Sequence, residues 1–143
     1  ALRLHGCRVV QALRSGEVPL GSAPTWMASA PVADLAVHLA DLRSALGLPA
    51  DIDGTTTGFG VWAYRDWLHQ RLVAAGAPAL RLSDGDTEWV VGDGRPAATV
   101  TAPPYELFRT ITGRRSLSDV RALQWTSDPS PWVDLISPYP LPQ

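Results

Sequence analysis

The chain has 143 residues, which is enough for one domain or two small subdomains. Hydrophobic residues make up 45% of it and charged residues 18%, proportions that are typical of a globular protein and not of a disordered one. The net charge of −2 favours neither nucleic acid nor an anionic membrane as a partner, and no stretch approaches the ~20 apolar residues of a membrane span.

Residues 2–15 carry apolar side chains at the helical period and predict a helix that ends near Gly16. Its first residues already have the pattern of a helix interior, so we expect the chain to lack the N-terminal part of a longer protein. Cys7 is the single cysteine, which excludes an internal disulfide framework and suits the reducing cytoplasm, where we expect the protein to work. Residues 17–30 form a connector, because prolines and glycines interrupt any regular element.

Residues 32–47 predict a second helix, which Pro31 can begin and Gly47 can end in a left-handed cap. Four leucines at the helical period are expected to face the core: Leu35, Leu39, Leu42 and Leu46. The side that is expected to face solvent carries Ala36, Ala40, Arg43 and Ser44.

Beside the leucines runs a polar row, Asp34, His38 and Asp41, at spacings of four and three residues. This spacing places the three side chains on one narrow stripe of the helix, at the edge of the core or along a cleft. A carboxylate one turn before an imidazole can hold a divalent metal, although a catalytic zinc takes about three protein ligands. The alternative is a structural row, in which Asp34 complements the helix dipole and His38 hydrogen-bonds to either aspartate.

Residues 49–60 form a polar loop that we expect to be solvated, because Asp51 and Asp53 lack the spacing of a calcium-binding EF-hand. Residues 61–75 predict a third helix that carries three large aromatic side chains. His69 on this helix is a second candidate metal ligand, and a surface or stacked histidine is the alternative.

The pattern changes after Gly76, where short alternating runs replace the helical period. Strands are predicted near residues 80–82, 88–91 and 98–101. Glycine-rich turns between these strands predict a three-stranded antiparallel meander. The fold class is therefore α+β, with a helical part over residues 1–76 and an α+β part over residues 77–143.

Four further elements are predicted in the second part: a helix at residues 103–112, a helical turn at 116–121, a fourth strand at 122–126 and a short helix at 132–136. Arg114 and Arg115 directly follow the first of these helices. Two cations stabilise a helix C-terminus in any case. The functional alternative is a clamp that binds an anion and faces the helical half.

The segment from Asp34 to Pro49 resembles the signature of the mycothiol-dependent maleylpyruvate isomerase family. That signature is an acid, three residues, a histidine, two residues, an aspartate, and then an arginine and an Ala-Leu-Gly ending. Two later segments are similar to the C-terminal subdomain of the same family, Glu88-Trp-Val-Val-Gly-Asp-Gly and Glu106-Leu-Phe-Arg-Thr-Ile-Thr-Gly-Arg-Arg115. The similarity runs from about Glu17 to the end of the chain.

This resemblance implies a DinB-like helical bundle that is joined to a small α/β subdomain similar to sterol carrier proteins. It also implies a divalent metal, commonly zinc, that is held by a histidine of an early helix and by an acid-x-x-x-His pair of a later one. Asp34 and His38 match that pair, with Asp where the enzymes of the family typically have Glu. Asp41 would be the outer partner of the imidazole. The early histidine belongs to the segment that we expect the chain to lack, and its role is not transferred to His5.

In that family the metal would lower the pKa of the thiol of mycothiol, and the thiolate would add to a conjugated double bond, permit rotation and leave. Arg114 or Arg115 would hold a carboxylate of the small-molecule substrate. Two readings stay open: an enzyme of this kind, acting on maleylpyruvate or another electrophile, and a non-catalytic relative that binds an apolar ligand or a protein. The six tryptophans and the incomplete ligand set favour the second.

Three predicted helices can cover one another only partly, so we expect an exposed apolar groove on the helical half. Each large side chain that is left exposed forgoes about 1.5–3 kcal/mol of burial. We therefore expect missing N-terminal helices or a second subunit to fill this groove.

Overall fold

The computed structural model describes residues 25–50 and 55–142, with side chains from Pro31 and from Thr57 onward in the two ranges. The helix expected over residues 2–15, with Cys7, and the two loop aspartates lie outside the described residues. Nine elements follow one another in the described part: α1 (Thr25–Ala45), α2 (Thr55–Ala74), β1 (Leu80–Ser83), β2 (Glu88–Val91), β3 (Ala98–Thr101), α3 (Pro104–Ile111), α4 (Leu117–Ala122), β4 (Gln124–Trp125) and α5 (Ser130–Val133).

Helices precede the sheet, as the change of pattern at Gly76 predicts. Both long helices begin earlier than expected, and Pro31 lies inside α1 instead of starting it. A proline removes one hydrogen bond from a helix interior and does not by itself end the helix. The predicted C-terminal caps are confirmed, since Gly47 and Gly76 have φ angles of 65° and 62°, a conformation that favours glycine. None of the helices in the described ranges combines the length and apolar character needed to cross a bilayer.

The buried face of α1 is the opposite of the one predicted. Small side chains are buried on it: Ala33, Ala36, Val37 and Ala40. The four leucines of the predicted core face are all exposed, and the alanines that were expected to face solvent pack against the core. A face of alanines lets the axis of α1 come close to its neighbour, and α1 packs mainly against α2.

The strands lie where the alternating runs predict them, but the antiparallel meander is wrong. The sheet order is β2-β1-β3-β4, with β3 parallel to β1 and with β2 and β4 antiparallel on the two edges. In this register Leu82 lies beside Val100, and both side chains are fully buried. The parallel pairing thus places the two most buried strands, β1 and β3, in the middle of the sheet.

The later elements match their predictions within a few residues, including the fourth strand and the short last helix. Trp125 on β4 and Trp132 on α5 stack with their ring centroids 6.0 Å apart. Trp132 also donates a hydrogen bond of 2.7 Å from Nε1 to the Pro78 carbonyl, which ties α5 to the start of the sheet. These contacts fold the C-terminal segment back over the first strand.

One hydrophobic cluster joins α1, α2, the sheet and α3 in the described part of the chain. Both predicted parts, residues 1–76 and 77–143, contribute to this core. Phe108 on α3 is fully buried, and a Cβ atom at Gly60 on α2 would overlap its ring. The glycine therefore allows α2 and α3 to approach closely, which brings the residues that follow α3 near α1.

Candidate functional site

The polar row of α1 forms as its spacing predicts. His38 lies between the two aspartates, with Nε2 3.4 Å from Asp34 Oδ1 and Nδ1 3.8 Å from Asp41 Oδ2. The side chains of Asp34 and His38 are 68% and 59% exposed, so they lie at the surface and not inside a closed cleft. The row is accessible to a ligand or to another segment of protein.

The Asp34–His38 pair has the spacing of two ligands of one metal ion. Two atoms bound to a tetrahedral zinc at ~2.0–2.2 Å lie about 3.3–3.6 Å apart. The 3.4 Å between Asp34 Oδ1 and His38 Nε2 falls in that range. Over residues 25–50 and 55–142, however, no group of three His, Cys, Asp or Glu side chains could hold a metal. The described residues therefore supply two ligands and not a complete site.

Asp41 is the centre of a second set of contacts. Its Oδ1 accepts a hydrogen bond of 2.7 Å from Arg109 Nη1, and its Oδ2 lies 3.4 Å from Arg114 Nη2. The Arg109 side chain is only 7% exposed, so the carboxylate neutralises a buried cation. Sequence reasoning missed Arg109, because nothing in the sequence sets this residue of α3 apart from an ordinary surface arginine.

The pKa of the Asp41 carboxyl reflects these contacts. Burial by itself raises the pKa, but the hydrogen bond and the charge of Arg109, followed by those of Arg114, outweigh burial and lower it below its ordinary value of 3.8. Asp41 is therefore ionised at neutral pH. The distance of 3.8 Å to His38 Nδ1 is too long for a hydrogen bond, so its role as the outer partner of the imidazole stays a prediction.

The two arginines of the predicted clamp differ in their surroundings. Arg115 makes a bidentate contact with Glu106, at 2.6 Å from Nε and 2.7 Å from Nη2. The hydrogen bond to Glu106 raises the pKa of Arg115, although burial acts in the opposite direction. A third donor of Arg115 reaches the Arg114 carbonyl at 2.9 Å. Arg115 is thus held as a structural cation that links both ends of α3.

Arg114 keeps more of its hydrogen-bonding capacity. Its Nη1 donates to the Thr112 carbonyl at 2.5 Å, and its Nη2 faces Asp41. An arginine has five N–H donors, so three of them have no partner among the described residues. The guanidinium also lies 5.8 Å from the ring centroid of Tyr139, within the range of a cation–π contact. Of the two arginines, Arg114 is the one able to bind an anion.

Tyr64 on α2 belongs to the same neighbourhood and was read from the sequence only as one of the aromatic residues of its helix. Burial raises the pKa of its phenol, the charge of Asp34 raises it further, and the charge of Arg114 lowers it. The phenol is therefore protonated at neutral pH, in a place where the charges of Asp34 and Arg114 both act on it. Its position depends on how α1, α2 and the turn after α3 meet, which no local pattern encodes.

His69 is separate from this cluster. Its Nδ1 accepts a hydrogen bond of 3.1 Å from the backbone N–H of Gly92, at the end of β2. Nδ1 is therefore not free to bind a metal, and because a neutral imidazole that accepts at Nδ1 carries its proton on Nε2, the other nitrogen has no free lone pair either. The contact instead ties α2 to the turn after the strand. The structural alternative for His69 is therefore the better description.

A cavity of about 290 Å³ lies between α2 and the C-terminal segment. The residues that line it include Arg71, Leu117, Val133, Asp134, Tyr139 and Leu141. Arg71 donates to the Asp134 carbonyl at 3.1 Å, and its guanidinium lies 5.2 Å from the Trp67 ring centroid. Tyr139 connects the two regions, since it lines the cavity and contacts Arg114.

Comparison of the chain with family models, curated proteins and solved structures finds no match in any of the three. The resemblance to the maleylpyruvate isomerase family thus stays a prediction. The proposed function is therefore argued from the contacts of Asp41 with Arg109 and Arg114 and from its proximity to His38.

Proposed function

We propose that the chain is part of a metal- and mycothiol-dependent enzyme, similar to the maleylpyruvate isomerases, in which Asp34 and His38 bind the metal and Arg114 binds a substrate carboxylate. One observation supports this most strongly. The candidate metal pair and the candidate arginine are distant in sequence, yet both face the same oxygen of Asp41. Their nitrogens, His38 Nδ1 and Arg114 Nη2, therefore lie within about 7 Å of each other. The metal would bind the other ring nitrogen, Nε2, beside Asp34, so the candidate metal pair and Arg114 are neighbours through Asp41.

Each residue of the cluster has a separate task in this proposal. A bound divalent metal would supply acidity, lowering the pKa of a coordinated thiol. Arg114 orients the substrate by donating hydrogen bonds from its free N–H groups to the carboxylate, and Asp41 holds Arg114 in place. The remaining metal ligands come from outside the described residues.

Metal analysis tests the metal half of the proposal. Protein that includes the remaining ligands should bind zinc, and His38→Ala in that protein should abolish the binding because it removes one of the two ligands that this chain supplies. The matched control is His69→Ala, which removes a histidine of the neighbouring helix and should leave the zinc content unchanged. A zinc-free wild-type protein after gentle purification, or His38→Ala protein with unchanged zinc, would contradict the assignment.

A comparison of the two arginines tests the carboxylate site. Arg114→Met should lower kcat/KM for a carboxylate substrate by about 10–100-fold, since a hydrogen bond to a charged group contributes about 1.5–3 kcal/mol. Arg115→Met serves as the control, because its side chain is already occupied by Glu106. Equal losses in the two variants would mean that the clamp is not specific to Arg114.

The second candidate is a non-catalytic binding protein, which the cavity of about 290 Å³ favours because it lies next to Tyr139 and carries a cation, Arg71. In that case a small apolar carboxylate should raise the melting temperature of metal-free protein. The same protein should show no thiol-dependent isomerisation. This pair of results would replace the enzyme proposal with the binding one.

A further inference from the structure

Helix α1 exposes an unbroken row of large apolar side chains, which we call the leucine seam: Val32, Leu35, Leu39, Leu42 and Leu46. The exposed fractions of these five residues lie between 43% and 71%. Such a contiguous row is unusual on a protein surface and marks a face that is covered by another segment or molecule.

The spacing of the seam specifies the shape of what covers it. Successive members are separated by three, four, three and four residues, which is the heptad spacing of a coiled-coil interface. Side chains in that spacing interlock with those of a second helix. The seam spans about 21 Å along the helix axis, so it suits a helical partner of about 14 residues.

We infer that the leucine seam is covered by residues 2–15 of the same chain, packed against it as an antiparallel helix. The sequence of this segment predicts a helix of matching length. Its residues Leu2, Gly6, Val9 and Leu13 are separated by four, three and four positions. In antiparallel order they fall opposite Leu46, Leu42, Leu39 and Leu35, in that order. Every large leucine of the seam then has an apolar or small residue across from it.

Charge supports the same arrangement. Residues 1–16 contain three arginines and no acidic residue. Helix α1 carries the largely exposed Asp34 beside the seam, and Asp41 further along is already paired with Arg109 and Arg114. A basic helix lying along this acidic edge is electrostatically favourable, whereas a second copy of α1 would bring the same acidic row against itself.

The residues between the proposed helix and α1 are numerous enough to join the two in this arrangement. In the proposed register residue 15 lies level with Ala33, about 12 Å along the axis from the start of α1 at Thr25. Neighbouring helix axes add 8–10 Å of separation. The intervening residues 16–24 can span about 30 Å when extended. The inference depends on α1 and the sequence alone, and it does not rest on the proposed metal chemistry.

Disulfide trapping in the full chain tests the inference. In a Cys7→Ser background, Val9→Cys and Leu39→Cys should form an intramolecular disulfide under mild oxidation, because the register brings their Cβ atoms near the 3.5–4.5 Å that a disulfide requires. The control pairs Val9→Cys with Val90→Cys, whose host residue is 50% exposed against 43% for Leu39 but lies on β2. Oxidised protein is digested and the linked peptides are identified by mass spectrometry, with circular dichroism confirming that both variants fold.

The expected result is that most Val9/Leu39 protein is crosslinked within one chain and that the Val9/Val90 protein is crosslinked several-fold less. Crosslinks only between chains would overturn the inference and assign the seam to a second copy. Absence of a crosslink in folded Val9/Leu39 protein, or equal yields for the two pairs, would overturn it as well. Leu13→Cys with Leu35→Cys should give the same intramolecular product if the register is correct.

Discussion

Phe108→Ala is expected to lower the free energy of unfolding by about 3–5 kcal/mol. The Phe108 ring is only 1% exposed and lies at the junction of α2 and α3, in the cluster that joins the helices to the sheet. Truncation removes the apolar area of the ring and leaves a cavity that the surrounding side chains can fill only partly. Urea unfolding followed by tryptophan fluorescence measures the loss. Val90→Ala, at a half-exposed position, should change stability by well under 1 kcal/mol.

Gly60 provides the control for the origin of this loss. Gly60→Ala alone should destabilise by about 1–3 kcal/mol, because its Cβ atom would overlap the Phe108 ring. In the Phe108→Ala background the same Cβ enters space that the ring has vacated. The double variant should therefore lose less free energy of unfolding than the sum of the losses in the two single variants. Strictly additive losses would mean that the two residues do not press against each other, and the close approach of α2 and α3 would then need another explanation.

Local features of the fold were predictable from the sequence. Gly47 and Gly76 end their helices because each adopts a left-handed conformation, and that preference belongs to the residue itself. The strand positions were predictable for a similar reason, since alternation and turn residues act within a few positions. The row from Asp34 to Asp41 also follows from helical geometry alone.

Long-range features were not predictable. The pairing of β3 with β1 joins two strands that are not consecutive in the chain, and the local turns do not encode that choice. The buried face of α1 was misassigned because larger side chains were taken to mark the core, whereas the alanine face packs against α2. Hydrophobic periodicity identifies the apolar faces of a helix, but it does not tell which of two such faces is buried in the core.

The same limit applies to the candidate site. From the sequence, Arg114 and Arg115 have the same predicted role. Only the contact of Arg115 with Glu106 in the structure distinguishes the two side chains. Arg109 gave no signal at all, because burial of an arginine depends on a carboxylate that lies on another helix. The contacts that Asp41 makes with Arg109 and Arg114 therefore depend on tertiary packing and not on local sequence.

Asp41→Asn is expected to lower the free energy of unfolding at pH 7 by about 3 kcal/mol, near the lower end of the range for breaking a buried ion pair. The carboxylate is partly exposed, but Arg109 is almost fully buried and would keep an uncompensated charge. Its Nε is already without a hydrogen-bond partner among the described residues, so the guanidinium has no other acceptor there. Chemical unfolding of the two proteins at pH 7 measures the difference.

The double variant Asp41→Asn with Arg109→Met distinguishes a stranded charge from a loss of packing. Methionine keeps much of the apolar stem of the arginine and removes the buried charge, so the double variant should regain most of the stability that Asp41→Asn loses. If the double variant is as unstable as the sum of the two single changes, the contact between Asp41 and Arg109 is not what stabilises this region.

The pH dependence of the same difference gives an independent check. The folded-state pKa of Asp41 lies below its ordinary value of 3.8, so the folded protein holds the carboxylate ionised more tightly than the unfolded chain does. Its contribution to stability is therefore fully present above the unfolded-state pKa of about 3.9 and is lost as pH falls through the folded-state pKa. The stability gap between wild type and Asp41→Asn should accordingly stay constant from pH 8 to about pH 5 and shrink below about pH 4. A gap that does not shrink below about pH 4 would mean that the ionised carboxylate of Asp41 is not what stabilises the folded protein through Arg109.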